Sequence, residues 1–202
     1  MRRVGRLSSD DESEPAFMLK MVALGDGAVG KTSCIMRYAE NRFGETYKAT
    51  LGTSIALKNV EIDVKDNKTQ EMTRRKVQIV LWDLAGQPTY KDLRQRYMIG
   101  SSMAFIVYDV TRPPTFLNVH EWYRNFRQIC PDSTVAIVGN KIDRNDRLVP
   151  PEAGEMLTRW LDVIHIETSA KEGTNVDLLF TELTRRAIAM EIERYGSSYL
   201  CG

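Results

Sequence analysis

Apolar and polar positions along the chain fall into short blocks with two different periods. Leu19 to Gly25 (LKMVALG) is a mostly apolar run ending in glycine, which predicts a buried strand. Lys31 to Asn41 changes to helical spacing, with Ile35, Met36 and Tyr38 among its apolar members. Thr53 to Val64 carries an alternating Val60, Ile62, Val64 set. Lys76 to Asp83 (KVQIVLWD) sets Val77, Ile79 and Leu81 against Val80 and Trp82. That period of two predicts a pair of strands. Between them the charged stretch Lys65 to Arg75, with Asp66-Asn67 as a turn signal, predicts a hairpin with a long polar tip.

After Asp83 the pattern becomes regular. Strands are predicted at Ala104 to Asp109, Thr134 to Asn140 and Val163 to Glu167. Helices are predicted at about Thr89 to Met98, Pro114 to Cys130, Pro151 to Leu161 and Asn175 to Tyr195. Strands alternating with helices imply an α/β domain, a parallel sheet with helices on both faces. Residues 1–16 are polar and mixed in charge and predict a disordered tail; 17–195 form one domain, and 196–202 a short flexible tail.

Composition narrows the classes. A chain of 202 residues with a hydrophobic fraction of 43% builds one domain with a full core. A net charge of +1 gives no bulk attraction to nucleic acid, and no nucleic-acid partner is expected. Cys34, Cys130 and Cys201 are odd in number, far apart and not at metal-ligand spacing, which suits a reducing cytoplasmic setting. No apolar run approaches the roughly 20 residues that span a bilayer. Met1 to Pro15 lacks an apolar signal core, and Arg2 stands where myristoylation needs glycine.

The chemistry sits at the strand ends. Gly25-Asp26-Gly27-Ala28-Val29-Gly30-Lys31-Thr32 fits G-x-x-x-x-G-K-[ST] between a predicted strand and a predicted helix, with Ser33 following. Such a loop folds its N–H groups around phosphate oxygens, and the helix adds its positive end. Lys31 can then reach the β- and γ-phosphates, and Thr32 offers a hydroxyl to Mg²⁺. Asp83 ends an apolar strand, where a carboxylate assists Mg²⁺. Gly86 can bring its N–H close to a γ-phosphate, and Gln87 can orient a water. Asn140-Lys141-Ile142-Asp143 follows another apolar strand. Asp143 can accept from both donors on the guanine edge, a pair that adenine lacks. Asn140 can bond the base and tie loops together, and the Lys141 stem can lie against the ring. In Thr168-Ser169-Ala170-Lys171 the Ala170 N–H can donate to the guanine carbonyl. His120 and His165 give no signal.

In this order the motifs resemble the Ras superfamily of small GTPases over about residues 18 to 195. Ile106 to Thr111 (IVYDVT) and Glu167 to Lys171 (ETSAK) are most similar to the Rab branch, whereas GDGAVGKT is also similar to Rho proteins. No extra helix of the Rho kind stands between Asp143 and Ser169, which favours Rab. The resemblance implies a P-loop NTPase fold: a six-stranded, mostly parallel sheet with one antiparallel edge strand, and five helices. It implies a switch that binds GTP or GDP with Mg²⁺ and hydrolyses GTP slowly, in signalling or membrane trafficking. Catalytic roles fall to Gln87, Lys31 and Thr50, and metal contacts to Thr32, Thr50 and Asp83. Phe43 would pack edge-on against guanine. Expected partners are effectors, an activating protein and an exchange factor, on a monomer that is cytoplasmic, with the cytosolic face of a membrane left open.

Three departures stand out. Pro88 follows Gln87 where Rab proteins usually have Glu, which restricts Gln87 toward extended geometry. The hairpin 63–76 is longer than usual and basic through Lys65, Lys68, Arg74, Arg75 and Lys76. The chain ends Tyr199-Leu200-Cys201-Gly202, neither paired cysteines nor C-a-a-X. Two rivals stay open: a P-loop ATPase or nucleotide kinase, disfavoured by Asn140, Asp143 and Ser169-Ala170-Lys171, and a scaffold that holds nucleotide without hydrolysing it, suggested by Pro88.

Overall fold

In the computed structural model, residues 17–43, 52–65, 72–86 and 91–195 are described. The strands are β1 (Phe17–Leu24), β2 (Thr53–Lys65), β3 (Met72–Leu84), β4 (Met103–Asp109), β5 (Thr134–Asn140) and β6 (Ile164–Thr168). The helices are α1 (Lys31–Glu40), α2 (Lys91–Met98), α3 (Pro113–Leu117), α4 (Val119–Ile129), α5 (Pro151–Leu161) and α6 (Val176–Tyr195). The sheet order is β2-β3-β1-β4-β5-β6. Every neighbouring pair is parallel except β2 with β3, so the expected six-stranded sheet with one antiparallel edge strand is present.

Period-2 side-chain alternation divides the core in two. On β1, Met21 and Ala23 face one layer with Cys34 and Ile35 of α1 and Leu179, Phe180 and Leu183 of α6. Val22 and Leu24 face the other, with Ala104, Ile106 and Tyr108 of β4 and Phe126 of α4. Strands β4 and β5 are buried along their whole length, as central parallel strands covered on both faces must be. Phe180 is an anchor of the first layer: it stacks on Tyr38 with ring centroids 4.0 Å apart and meets Phe105 edge-on at 5.4 Å.

The structure corrects two expectations. The predicted long polar tip is shorter, because β2 and β3 run on in register as far as Lys65 opposite Met72, leaving only 66–71 between them. Polar cross-strand pairs carry this extension: Arg74 reaches Glu61 at 2.8 Å. The predicted helix from Pro114 to Cys130 is instead α3 and α4, interrupted at Asn118, so six helices are described rather than five. The side-chain amide of Asn118 donates to Asp26 at 2.8 Å.

The described residues of the glycine-rich turn, Asp83, Gly86, the Asn140–Asp143 turn and the Thr168–Lys171 segment stand at or just after the C-terminal ends of strands β1, β3, β5 and β6, the edge of an open α/β sheet where ligands bind. Truncating the anchor of the first core layer, Phe180→Ala, is expected to lower unfolding free energy by about 3–5 kcal/mol. Urea denaturation checks this, and a loss under about 1 kcal/mol would count against the packing described.

Candidate nucleotide site

The glycine-rich turn after β1 depends on glycine where backbone crowds backbone. Gly25 has φ +125°, and a Cβ there would lie 2.2 Å from the Val107 carbonyl oxygen. Gly30 has φ +106°, and a Cβ would lie 2.1 Å from the Asn140 side-chain nitrogen. Gly27 differs, since a Cβ there would meet nothing within 4 Å. Ala28 also takes a left-handed backbone, φ 62°. The turn delivers the chain to α1, whose N-terminus no side chain among the described residues caps. An uncapped helix start directly after a glycine-rich turn has N–H groups to offer an anion.

Lys31 is only 6% exposed. Its Nζ donates to the carbonyls of Gly25 at 2.8 Å and Asp26 at 2.6 Å. Burial pulls its ammonium down to about 8, against the opposing pull of Asp83 and Asp26. Thr32 Oγ1 donates to Asp83 Oδ2 at 2.5 Å, bringing α1 and the end of β3 together. Val29 is buried and Ser33 half-buried in the same segment. Gly86 backs directly onto the turn: a Cβ there would lie 2.5 Å from the Asp26 carbonyl carbon. One hydroxyl and one carboxylate are hard oxygen donors, and they suit Mg²⁺, which is held by few protein ligands and completed by phosphate oxygens and water. Among the described residues no cluster of three or more His, Cys, Asp or Glu side chains forms.

The loops after β5 and β6 meet on Asn140, which is 1% exposed. Its Nδ2 donates to the Val29 carbonyl at 2.9 Å. Its Oδ1 accepts from Thr168 Oγ1 at 3.1 Å and from the Ala170 N–H at 3.2 Å. Asp143, half-buried, accepts from Ser169 Oγ at 2.7 Å. Lys141 adopts φ 73° and donates to the Ala28 carbonyl at 2.9 Å, while pairing with Asp109 Oδ2 at 2.6 Å. The carbonyl of Lys171 accepts from Arg37 Nη2 at 2.5 Å, and that of Ala170 from Arg37 Nε at 3.0 Å. Phe43, 36% exposed, ends the described segment after α1. Thr50, Gln87 and Pro88 lie outside the described residues.

Several of the contacts carry no motif signal. Asp26 turns its carboxylate away to α4, accepting from Asn118 Nδ2 and Trp122 Nε1, each at 2.8 Å. Arg112 Nη1 donates to the Gly27 carbonyl at 3.2 Å. Thr168, Arg37 and Asp109 support the base-side loops. Only the fold brings these partners together: Asp26, Asp109 and Thr168 stand inside the motifs, but no local pattern in the sequence marks their contacts with Asn118, Trp122, Lys141 and Asn140.

A glycine-rich turn, a hydroxyl–carboxylate pair beside it and a second carboxylate-bearing loop on one sheet edge define a P-loop NTPase-like fold. Residues 20–189 match the Ras family. The chain is 38% identical over 177 residues to the Ras-related protein RABA5e of Arabidopsis thaliana, covering 86% of this chain and 76% of that one. It is 34% identical over 171 residues to the Ras-related protein Rab-8A of Gallus gallus (84% and 78% covered). It is 32% identical over 186 residues to the Ras-related protein SEC4 of Saccharomyces cerevisiae (92% and 81% covered). The chain therefore belongs to the Ras superfamily of small GTPases, whose members switch state with the guanine nucleotide they hold, and these relatives are of the Rab kind.

The Asp109–Lys141 pair gives a pH-dependent expectation. Burial works to raise the Asp109 carboxyl, but hydrogen bonds from Lys141 and Thr111 hold it below the usual carboxylate range. A depressed carboxyl contributes stability above its unfolded pKa of about 4, lost as pH falls through the folded value. The Asp109→Asn variant is thus expected to be less stable by about 1–3 kcal/mol. That deficit should stay level from about pH 5 to 8 and shrink below about pH 4. Urea unfolding across pH checks this; a deficit that grows on acidification would contradict it.

Proposed function

We propose that this chain is a Rab-like molecular switch that binds GTP and GDP with Mg²⁺ and slowly hydrolyses GTP, with effectors binding the GTP state. The observation that supports this most is the meeting of the P-loop, Asp83 and the Asn140–Asp143 turn on one sheet edge, joined through the Asn140 side chain. Lys31 and the amides of Gly25 to Ser33 would hold the phosphates. Thr32, Asp83 and Thr50 would hold Mg²⁺, which when bound supplies positive charge to the phosphate oxygens. Asp143 would accept from the two guanine donors while Ser169 holds its orientation. Lys141 and Phe43 would flank the ring. The Ala170 N–H, at 3.2 Å from Asn140 Oδ1, would share its proton with the base carbonyl.

Hydrolysis in this reading is in-line attack by a water that Gln87 aligns, with the charge spread on the transferring oxygens met by Lys31 and the loop amides. Intrinsic turnover would be on the order of 10⁻⁴ to 10⁻³ s⁻¹, raised about 10³- to 10⁵-fold by an activating protein. The open space beside Gly27 is where a partner's arginine has room to enter. Loss of the third phosphate would release Thr50 and Gly86, and effectors, an exchange factor and the activating protein would read or drive that change. The setting proposed is the cytoplasm, with peripheral contact at the cytosolic face of a membrane during trafficking; no helix among the described residues is long and apolar enough to cross one.

The test is a time course of nucleotide content after loading with GTP. Wild type should convert GTP to GDP at the intrinsic rate above, and Gln87→Leu should slow conversion at least tenfold. Equal rates in the two proteins would remove Gln87 from its role. A wild type that keeps GTP intact for days would support the permanent-holder reading that Pro88 suggests.

A further inference from the structure

Arg94 on α2 is 8% exposed, and burial requires its guanidinium to find partners. Its Nη1 donates to the Ala85 carbonyl at 3.0 Å. Its guanidinium carbon lies over the Trp122 ring, 4.8 Å from the centroid. Trp122 in turn donates Nε1–H to Asp26, whose other oxygen accepts from Asn118. An arginine can do both tasks because its planar fork stacks on an aromatic face while its edge donates; a lysine ammonium cannot. These residues border a cavity of about 320 Å³ between the P-loop, α2 and α4, lined also by Gly86, Glu121 and Asn125.

The consequence lies in the peptide that Arg94 grips. The Ala85 N–H donates to the Gly52 carbonyl at 3.0 Å, so Ala85 is held from both sides: by Gly52 just before β2 and by Arg94 of α2. A trans peptide is planar with its C=O and N–H antiparallel. Fixing the Ala85 carbonyl therefore fixes the direction of the Gly86 N–H. Gly86 has little freedom of its own, because a Cβ there would lie 2.6 Å from both the Asp26 and Gly25 carbonyl oxygens.

We propose that Arg94, seated on Trp122 and through it on Asp26, is a positioning residue that sets the Ala85–Gly86 peptide for recognition of the third phosphate and so couples α2 and α4 to the P-loop. This rests on the GTPase reading above and adds the residues that make the γ-phosphate contact directional. Lys31 serves both di- and triphosphate, whereas the Gly86 N–H serves only the triphosphate. Disturbing Arg94 should therefore change discrimination between the two nucleotides, which a merely structural staple would not do.

The experiment is displacement titration of the full chain with Mg²⁺·GDP and with Mg²⁺ and a non-hydrolysable GTP analogue. Wild type is compared with Arg94→Met, which keeps the stem, and Trp122→Phe, which keeps a ring face but loses the bond to Asp26. The ratio of analogue affinity to GDP affinity should fall about tenfold in Arg94→Met, the loss of a hydrogen bond to a charged group. A smaller fall, about threefold, is expected in Trp122→Phe. A ratio equal to wild type in both variants overturns the inference, even where both affinities drop together. Should Arg94→Met fail to fold, the Trp122→Phe ratio decides alone. A wild type that binds neither guanine nucleotide overturns the GTPase reading itself, and this inference with it.

Discussion

The side chain of Asn140 is the constraint on which the site depends. One buried amide accepts from Thr168 and Ala170 and donates to Val29, so three loops from distant parts of the chain share a single hydrogen-bonded knot. A half-satisfied buried amide is worse than an apolar residue, so the three partners specify one another. The same knot explains Gly30, since any Cβ would occupy the place of the Asn140 nitrogen. It also fixes the separation between the phosphate cradle and the turn that carries Asp143. In the proposed reading, a ligand with phosphates at one end and a purine at the other would be measured by that separation.

Around the knot the charges are arranged before any ligand arrives. Lys31 is buried on two peptide carbonyls beside Asp83, with its ammonium pulled down by desolvation. A phosphate would restore what burial removes, because it supplies the negative charge that carbonyl dipoles only approximate. Lys141 bridges Asp109 and the Ala28 carbonyl, tying the base-side turn to the P-loop a second time. Asp26 shows the opposite disposition. Its charge is turned outward to α4, which keeps a carboxylate away from the phosphate cradle while using it as an anchor.

Much of this was legible in the sequence, for a physical reason. Strand ends, glycine turns and the residues after them are local, and the chemistry of phosphate, cation and guanine dictates which types stand there. Lys31, Thr32, Asp83, Asn140 and Asp143 stand out from spacing alone, the structure brings them to one sheet edge, and β5 has the bounds its apolar run predicted. What escaped is non-local. Nothing near Asp26 says that its partners stand at Asn118 and Trp122, and nothing in the Pro114 to Cys130 periodicity marks the interruption at Asn118. The polar run Met72 to Arg75 carries no hydrophobic alternation, yet pairing with β2 makes it strand, because backbone hydrogen bonds do not need an apolar face. The Ala170 N–H, read as a donor to the base, is already within reach of Asn140, a competition that only the folded loops reveal.

The central claim is that the knot on Asn140 builds one site selective for guanine nucleotides. Isothermal titration calorimetry of nucleotide-stripped protein with Mg²⁺·GDP and then with Mg²⁺·ADP measures it most directly. The account predicts at least a 10³-fold preference for GDP, on the order expected when a site built to hydrogen-bond two donors meets a base that lacks them. Comparable affinities for the two nucleotides would contradict it.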